Sequence, residues 1–291
     1  MHIPHTKSAE RTQTEGSPLK GKSVVVTGAG VGLGRAYALA LAAQGAQVMV
    51  NDLTAAGAEQ TCQAIRASDG VAEAHTGSVA DWTAAEDLIR ACVDRYGSLD
   101  GLVNNAGVGR VCAPWDEDEA GARKVIETNL LGTLFCGVHA IRQMIEQTSG
   151  SIINIASGAA TGHPTVATYG ASKGGVLSLT YGWDVDLKGT GVRVNAVMPR
   201  AQTAMNPGDT SAGGSSPGGI DADVQPEVIA PLIAYLISDR SLAVSGQVIR
   251  HEGRMVTVVR RPSWEPGAEV GPETTLGEMA HIVDGLLTTT T

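Results

Sequence analysis

Between Ser23 and Ala36 the chain reads SVVVTGAGVGLGRA, a short apolar run that opens into glycines at 28, 30, 32 and 34 before a helix-forming stretch. Glycine weakens the interior of both helices and strands, so a cluster at their junction needs a positive reason. The reason that fits is a bulky anion held against bare backbone at a helix N-terminus, where free N–H groups and the helix dipole favour negative charge. A pyrophosphate has that shape and charge.

The rest of the chain repeats the same alternation. The runs SVVVTG, AQVMVND, LDGLVNNAG, GSIINIAS and VRVNAVMP lack the strict in-out alternation of a half-exposed sheet and read as buried parallel strands. Helical stretches at Ala55 to Ala67, Thr83 to Tyr96, Ala120 to Gln147 and Tyr169 to Lys188 separate them. Strand, helix and strand in repetition predict an α/β fold, a Rossmann-type doubly wound parallel sheet with helices on both faces and ligands beyond the strand C-termini. The expected organisation is one domain over 19–261, a flexible tail over 1–18 and a C-terminal extension over 262–291.

Composition narrows the function classes. A net charge of −9 with no basic stripe argues against nucleic acid. No stretch approaches the roughly 20 apolar residues of a bilayer span, and the polar N-terminus lacks a signal-peptide core, which together predict a cytoplasmic protein. Cys62, Cys92, Cys112 and Cys136 are irregularly spaced. They match neither a metal site nor a disulfide framework and are expected as reduced core residues.

The glycine turn does not fit G-x-G-x-x-G, because Leu33 takes the last position; it fits T-G-x-x-x-G-x-G with Thr27, Gly28, Gly32 and Gly34. The second strand ends in Asp52, near the offset of about 20 residues at which a carboxylate meets a ribose diol. Neither Val31 nor Leu53 supplies a cation for a 2′-phosphate, so the residues favour NAD. Further along, YGASK sets Tyr169 and Lys173 one helical turn apart on the same face. A phenol with its ordinary pKa near 10 is a poor base, and a nearby ammonium would lower that value. Ser157, at the end of the strand IINIASG, would orient a substrate oxygen.

In this order, TGAGVGLG, NNAG at Asn104 to Gly107, ETNLLG with Asn129, Ser157, YGASK and VRVNAVMP make the chain resemble the classical short-chain dehydrogenase/reductase family over about Leu19 to Gly253. The resemblance implies a tetrad of Asn129, Ser157, Tyr169 and Lys173, with Tyr169 as general acid or base, Lys173 on the nicotinamide ribose and Asn129 holding a relay water. It implies a cofactor site that includes Gly28, Gly32, Leu33, Gly34, Asp52, Leu53, Asn105, Ala106, Gly107, Pro199 and Thr203. It also implies a dimer or tetramer through the helices carrying Leu130, Leu131, Leu134, Phe135, Val138, Val176, Leu177, Leu179 and Trp183.

Some positions depart from the family pattern. Ser78 and Val79 stand where the family carries Asp-Val against adenine, the Ser157 to Tyr169 interval is one residue short, and Arg200 replaces the glycine that commonly follows Pro199. Pro199, Thr203 and Met205, together with VNDL at Val50 to Leu53, resemble the dehydrogenase domains of multifunctional β-oxidation enzymes. The Gly/Ser/Pro-rich segment 206–225 is expected as a substrate lid. Val108, Arg110, Trp115, His163, Pro164, Thr165 and Met198 are candidates to grip the substrate; Arg110 is read first as a solvated surface cation, with an acidic substrate group as the alternative partner, and His163 as either a solvated loop residue or a substrate contact. The expected activity is NAD-dependent interconversion of a secondary alcohol and a ketone, on a 3-hydroxyacyl thioester, hydroxysteroid or terpenoid-type alcohol. The alternative is a non-catalytic dinucleotide sensor on the same fold.

Overall fold

Val24 and Val26 of the first strand are fully buried on one face of the sheet, and Val25 is fully buried on the other. A strand covered on both sides favours apolar residues at successive positions, and that explains the unbroken run Val24, Val25, Val26. The computed structural model describes residues 17–200, 225–263 and 267–288. The expected N-terminal tail up to residue 16, Thr203, Met205 and all of the expected lid except Gln225 lie outside the described residues.

The strands are β1 Ser23–Val26, β2 Gln47–Asp52, β3 Val71–Thr76, β4 Gly101–Asn104, β5 Gly150–Ile155, β6 Val192–Arg200, β7 Val248–Glu252 and β8 Met255–Val259. They form one sheet in the order β3-β2-β1-β4-β5-β6-β7-β8. Every pairing is parallel except β7 with β8. β1 therefore has β2 on one side and β4 on the other, which creates the crevice where such sheets take ligands. The five apolar runs become β1, β2, β4, β5 and β6. The last hairpin turns on Gly253, whose φ of 56° suits the two-residue connection between Glu252 and Met255.

The helices are α1 Gly32–Ala43, α2 Ala55–Arg66, α3 Trp82–Tyr96, α4 Glu119–Ile126, α5 Gly132–Gln147, α6 Ala167–Asp186, α7 Ala230–Ile237 and α8 Leu276–Thr288. Tyr37 and Leu41 of α1, Cys62 and Ile65 of α2, and Ile233 and Ile237 of α7 join the core on the Val24 face. Leu88 and Cys92 of α3 with Cys136 and Met144 of α5 close the Val25 face. Each such buried aliphatic side chain contributes about 1.5–3 kcal/mol relative to an exposed one.

The long helix expected over Ala120 to Gln147 is interrupted. A wide π turn over Glu127–Leu131 joins α4 to α5, and Asn129 within it is fully buried. Such turns insert one residue into a helix and re-aim the side chains around it. Three cysteines are core residues as expected, but Cys112 is only half buried. Burial pushes the thiols of Cys92 and Cys136 up to about 12, which leaves them inert.

The chain divides after Val259 into two units. In the second, Thr275 and Glu278 form a reciprocal cap at the start of α8: the Thr275 N–H donates to Oε2 of Glu278 at 2.8 Å, and the Glu278 N–H donates to Oγ1 of Thr275 at 3.3 Å. No described helix is long and apolar enough to cross a membrane.

Candidate active site

The turn between β1 and α1 is held open by hydrogen bonds from a neighbouring loop. Asn105 donates through Nδ2 to the carbonyls of Thr27 at 2.9 Å and Gly28 at 3.0 Å, and the N–H groups of Asn105 and Ala106 both donate to Oγ1 of Thr27 at 3.0 Å. Asn104 and Asn154 continue the tie inside the sheet, with Nδ2 of Asn104 donating to Oδ1 of Asn154 and Nδ2 of Asn154 donating to Oγ1 of Thr180, each at 3.0 Å. NNAG is therefore a brace between β1, β4 and β5.

Bare backbone is required at this turn. Gly28 and Gly32 sit at φ of 60° and 56°, a region that favours glycine. A Cβ on Gly34 would collide with the Gly28 carbonyl oxygen, and one on Gly30 would stand 2.7 Å from Oδ2 of Asp52. Gly34→Ala should lower stability by about 1–3 kcal/mol through overpacking, seen as a lower midpoint in thermal unfolding. Around Gly32 there is open space, and Val31 at the N-cap makes no side-chain bond to the first turn of α1. The free N–H groups of that turn face the crevice and suit a pyrophosphate.

Asp52 is fixed beside the same turn. Its Oδ2 accepts from the Gly30 N–H at 3.0 Å, while Oδ1 accepts from the Thr54 N–H at 3.0 Å and its hydroxyl at 2.9 Å. Three donors hold the carboxylate at the C-terminal end of β2.

A second set of groups gathers where β5 ends and α6 begins. Ser157 follows β5 and caps a short 3₁₀ turn, its Oγ accepting from the Ala159 N–H at 3.2 Å. Tyr169 lies in the first turn of α6 and lines the same cleft as Ser157. Burial raises the Tyr169 phenol above its ordinary value, and the nearby Ser157 hydroxyl works in the opposite direction. The expectation that Lys173 lowers the phenol is corrected in this respect: in the protein alone desolvation dominates. Lys173 is itself buried, donates from Nζ to the Ile155 carbonyl at 2.7 Å, and lies 6.0 Å from the centre of the Tyr169 ring. Burial pushes its ammonium down to about 8.

Asn129 stands behind this pair and does not line the cleft. Its Oδ1 accepts from the Val108 N–H at 2.8 Å, and its Nδ2 donates to the Val108 carbonyl at 3.0 Å and to Oγ of Ser172 at 3.1 Å. Ser172 in turn donates to the Tyr169 carbonyl at 2.7 Å. The amide therefore joins the loop after β4 to the helix carrying Tyr169 and Lys173.

One cleft of about 690 Å³ connects these groups. Gly28, Gly32, Leu33, Gly34, Asp52, Asn105, Ala106, Gly107, Ser157, Tyr169, Lys173, Met198 and Pro199 line it, as does His163. Leu53, Ser78, Val79 and Asn129 do not. Leu53 is 72% exposed, and Val79 is buried against α5 at Gly132. Of the substrate-gripping candidates, Val108, Trp115, Pro164 and Thr165 lie outside the cleft wall. Arg110 lines it, but its guanidinium is paired with Glu117 and Asp118 and is not left to meet an acidic substrate.

Two charged wall residues escaped the sequence reading as substrate contacts, Arg200 at the end of β6 and Arg250 on β7. Their signal was a pairing of strands: Arg200 is in register with Glu252, and Arg250 lies two residues before it on the same face.

A family model described as short chain dehydrogenase matches residues 22–211. Cis-4-hydroxycyclohexanecarboxylate dehydrogenase of Sinomonas cyclohexanicum is 38% identical over 244 residues, 80% of this chain and 96% of the relative. 2-(S)-Hydroxypropyl-CoM dehydrogenase 3 of Xanthobacter autotrophicus is 34% identical over 254 residues, 82% of this chain and 98% of the relative. A crystal structure of a short chain dehydrogenase from Mycobacterium avium superposes with a TM-score of 0.81 at 33% identity, covering 93% of this chain and 96% of that one.

Proposed function

The chain belongs to the short chain dehydrogenase family, and from that premise we propose that it is a cytoplasmic NAD-dependent dehydrogenase that interconverts a secondary alcohol and a ketone. The observation that carries this reading is that Ser157, Tyr169 and a buried Lys173 one turn from it share one cleft with the glycine turn and Asp52. A bound nicotinamide dinucleotide would supply the hydride acceptor. Gly32 to Gly34 and the first turn of α1 would hold its pyrophosphate, Asp52 its adenosine ribose and Lys173 its second ribose.

Within that arrangement Tyr169, as phenolate, takes the hydroxyl proton of the alcohol, and as phenol returns it to the ketone oxygen in the reverse direction. Ser157 holds the same oxygen and stabilises the phenolate by its own hydrogen bond. Asn129 fixes the spacing between the Val108 loop and α6. Hydride transfer measured by nicotinamide absorbance across 3-hydroxyacyl thioesters, hydroxysteroids, terpenoid alcohols and 4-hydroxycyclohexanecarboxylate, with NAD and with NADP, tests the reading. No turnover of any alcohol with either cofactor would count against it.

The protein is further proposed to act on a small-molecule substrate as a dimer or tetramer. Leu134 and Phe135 of α5 and Leu177, Leu179 and Trp183 of α6 remain only half buried in the single chain. Apolar side chains in that state on neighbouring helices favour association. Light scattering at micromolar concentration should give a mass of two or four chains, and a monomer would reject this part of the proposal.

A further inference from the structure

We infer that Arg200 and Arg250 form an anion-binding subsite, so that the alcohol this cleft accepts carries a carboxylate or similar anionic group; this rests on the dehydrogenase reading above. The two arginines arise from the strand register. β6 and β7 run parallel with Met198 opposite Arg250 and Arg200 opposite Glu252, which brings the ends of both strands to the rim of the cleft. Glu252, with a side chain only 15% exposed, accepts from Nη1 of Arg200 through Oε1 and from Nε and Nη2 of Arg250 through Oε2.

Among the described residues two guanidiniums share one carboxylate, so one positive charge is left over there. A cross-strand pair built for the sheet alone needs a single arginine. The second has its free edge toward the reacting groups: a Cβ on Gly158, the residue after Ser157, would stand 3.2 Å from Nη1 of Arg250. Among the described residues Nη1 of Arg250 has no hydrogen-bond partner. Arg110, by contrast, has its charge met by Glu117 and Asp118 and leaves no such surplus.

The surplus charge belongs to the substrate end of the cleft. β7 lies five strand positions from β2, which carries Asp52, and four from β1, which opens into the glycine turn. At about 4.8 Å per strand these are roughly 24 and 19 Å, too far for the arginines to serve the adenosine ribose or the anion at the glycine turn. Their neighbour is Ser157, beside which a substrate oxygen would sit. A fork-shaped donor with a free edge suits a planar carboxylate, and Glu252 holds the fork in place before the ligand arrives.

Matched pairs of substrate test this: 4-hydroxycyclohexanecarboxylate against its methyl ester, and 3-hydroxybutyrate against its ethyl ester, each assayed for kcat/KM with the full chain. The acid of at least one pair should be preferred on the order of 10- to 100-fold, as expected for a charge-assisted hydrogen bond. In Arg250→Gln that ratio should fall toward one, mainly through KM, and Arg250→Lys should recover part of it. Because the ratio is measured within one preparation, partial misfolding of a variant does not alter it. An enzyme that oxidises acid and ester equally, or a ratio that survives Arg250→Gln, overturns the subsite and leaves the dehydrogenase reading intact. If no alcohol is oxidised, that reading fails instead, and calorimetric titration with cyclohexanecarboxylate decides the subsite alone. Binding that weakens in Arg250→Gln supports it, and absence of binding overturns it.

Discussion

Tyr169→Phe should lower kcat on the order of a thousandfold while leaving cofactor binding within a few-fold of the parent. The ring, the helix and the neighbouring Lys173 are all kept; only the phenol oxygen in the cleft beside Ser157 is removed. Cofactor titration by fluorescence separates the two quantities. Residual turnover above a few per cent would mean that the proton leaves by another group. The pH dependence has a definite sign. Burial raises the phenol, so at neutral pH Tyr169 is protonated. Oxidation of the alcohol needs the phenolate and should accelerate as pH rises, whereas ketone reduction needs the phenol and should slow. Ser157→Ala removes the hydroxyl that lowers the phenol and should move the rise in oxidation rate to higher pH. Lys173, whose ammonium is pushed down to about 8, carries its charge at neutral pH and loses it as pH passes that value. Support for the phenolate from this cation therefore fades on the alkaline side.

The parts of this site that were readable in the sequence are those whose chemistry is local. Gly28, Gly32 and Gly34 announce themselves because no other residue fits a left-handed turn or the close approach to the Gly28 carbonyl. Tyr169 and Lys173 do so because one helical turn separates them. Pairings between distant segments leave no such local mark. Solvent or an acidic substrate group were the two partners Arg110 suggested, yet Glu117 and Asp118, seven and eight residues on, fold back to meet it. Arg250 sat in a stretch whose apolar run, VI, is too short to announce a strand, and only the β6–β7 register brings it beside Arg200. The π turn at Glu127–Leu131 was hidden for a different reason: ETNLL has ordinary helical residues, and the extra residue shows only in how Asn129 reaches Val108 and Ser172. Desolvation was also invisible. The burial that lowers Lys173 and raises Tyr169 depends on the whole fold, so the spacing in YGASK carries their attraction but not the larger opposing effect.

Cofactor choice should follow Asp52, with NAD preferred over NADP on the order of a hundredfold in kcat/KM. The carboxylate is held by the Gly30 N–H and by both donors of Thr54, so it is not free to swing away from an added phosphate. Like charges about 4 Å apart cost about 4 kcal/mol at an effective dielectric of 20, close to a thousandfold in affinity, and screening by salt reduces this. The flanking residues offer no relief: Val31 and Leu53 are 67% and 72% exposed, and neither carries a charge. Asp52→Asn combined with Leu53→Arg should narrow or reverse the preference, because it removes the repulsion and places a guanidinium fork at an exposed position near the ribose. Asn keeps one acceptor oxygen where Asp has two, so the double variant also loses part of the brace on Gly30 or Thr54, and a modest rise in KM for NAD should accompany the switch. Measuring kcat/KM for both cofactors in both proteins separates these effects: loss of repulsion raises NADP use, and loss of the brace lowers NAD use. Equal use of the two cofactors by the unaltered protein would mean that the carboxylate does not face the ribose at all, and the cofactor would have to enter the cleft in a different register.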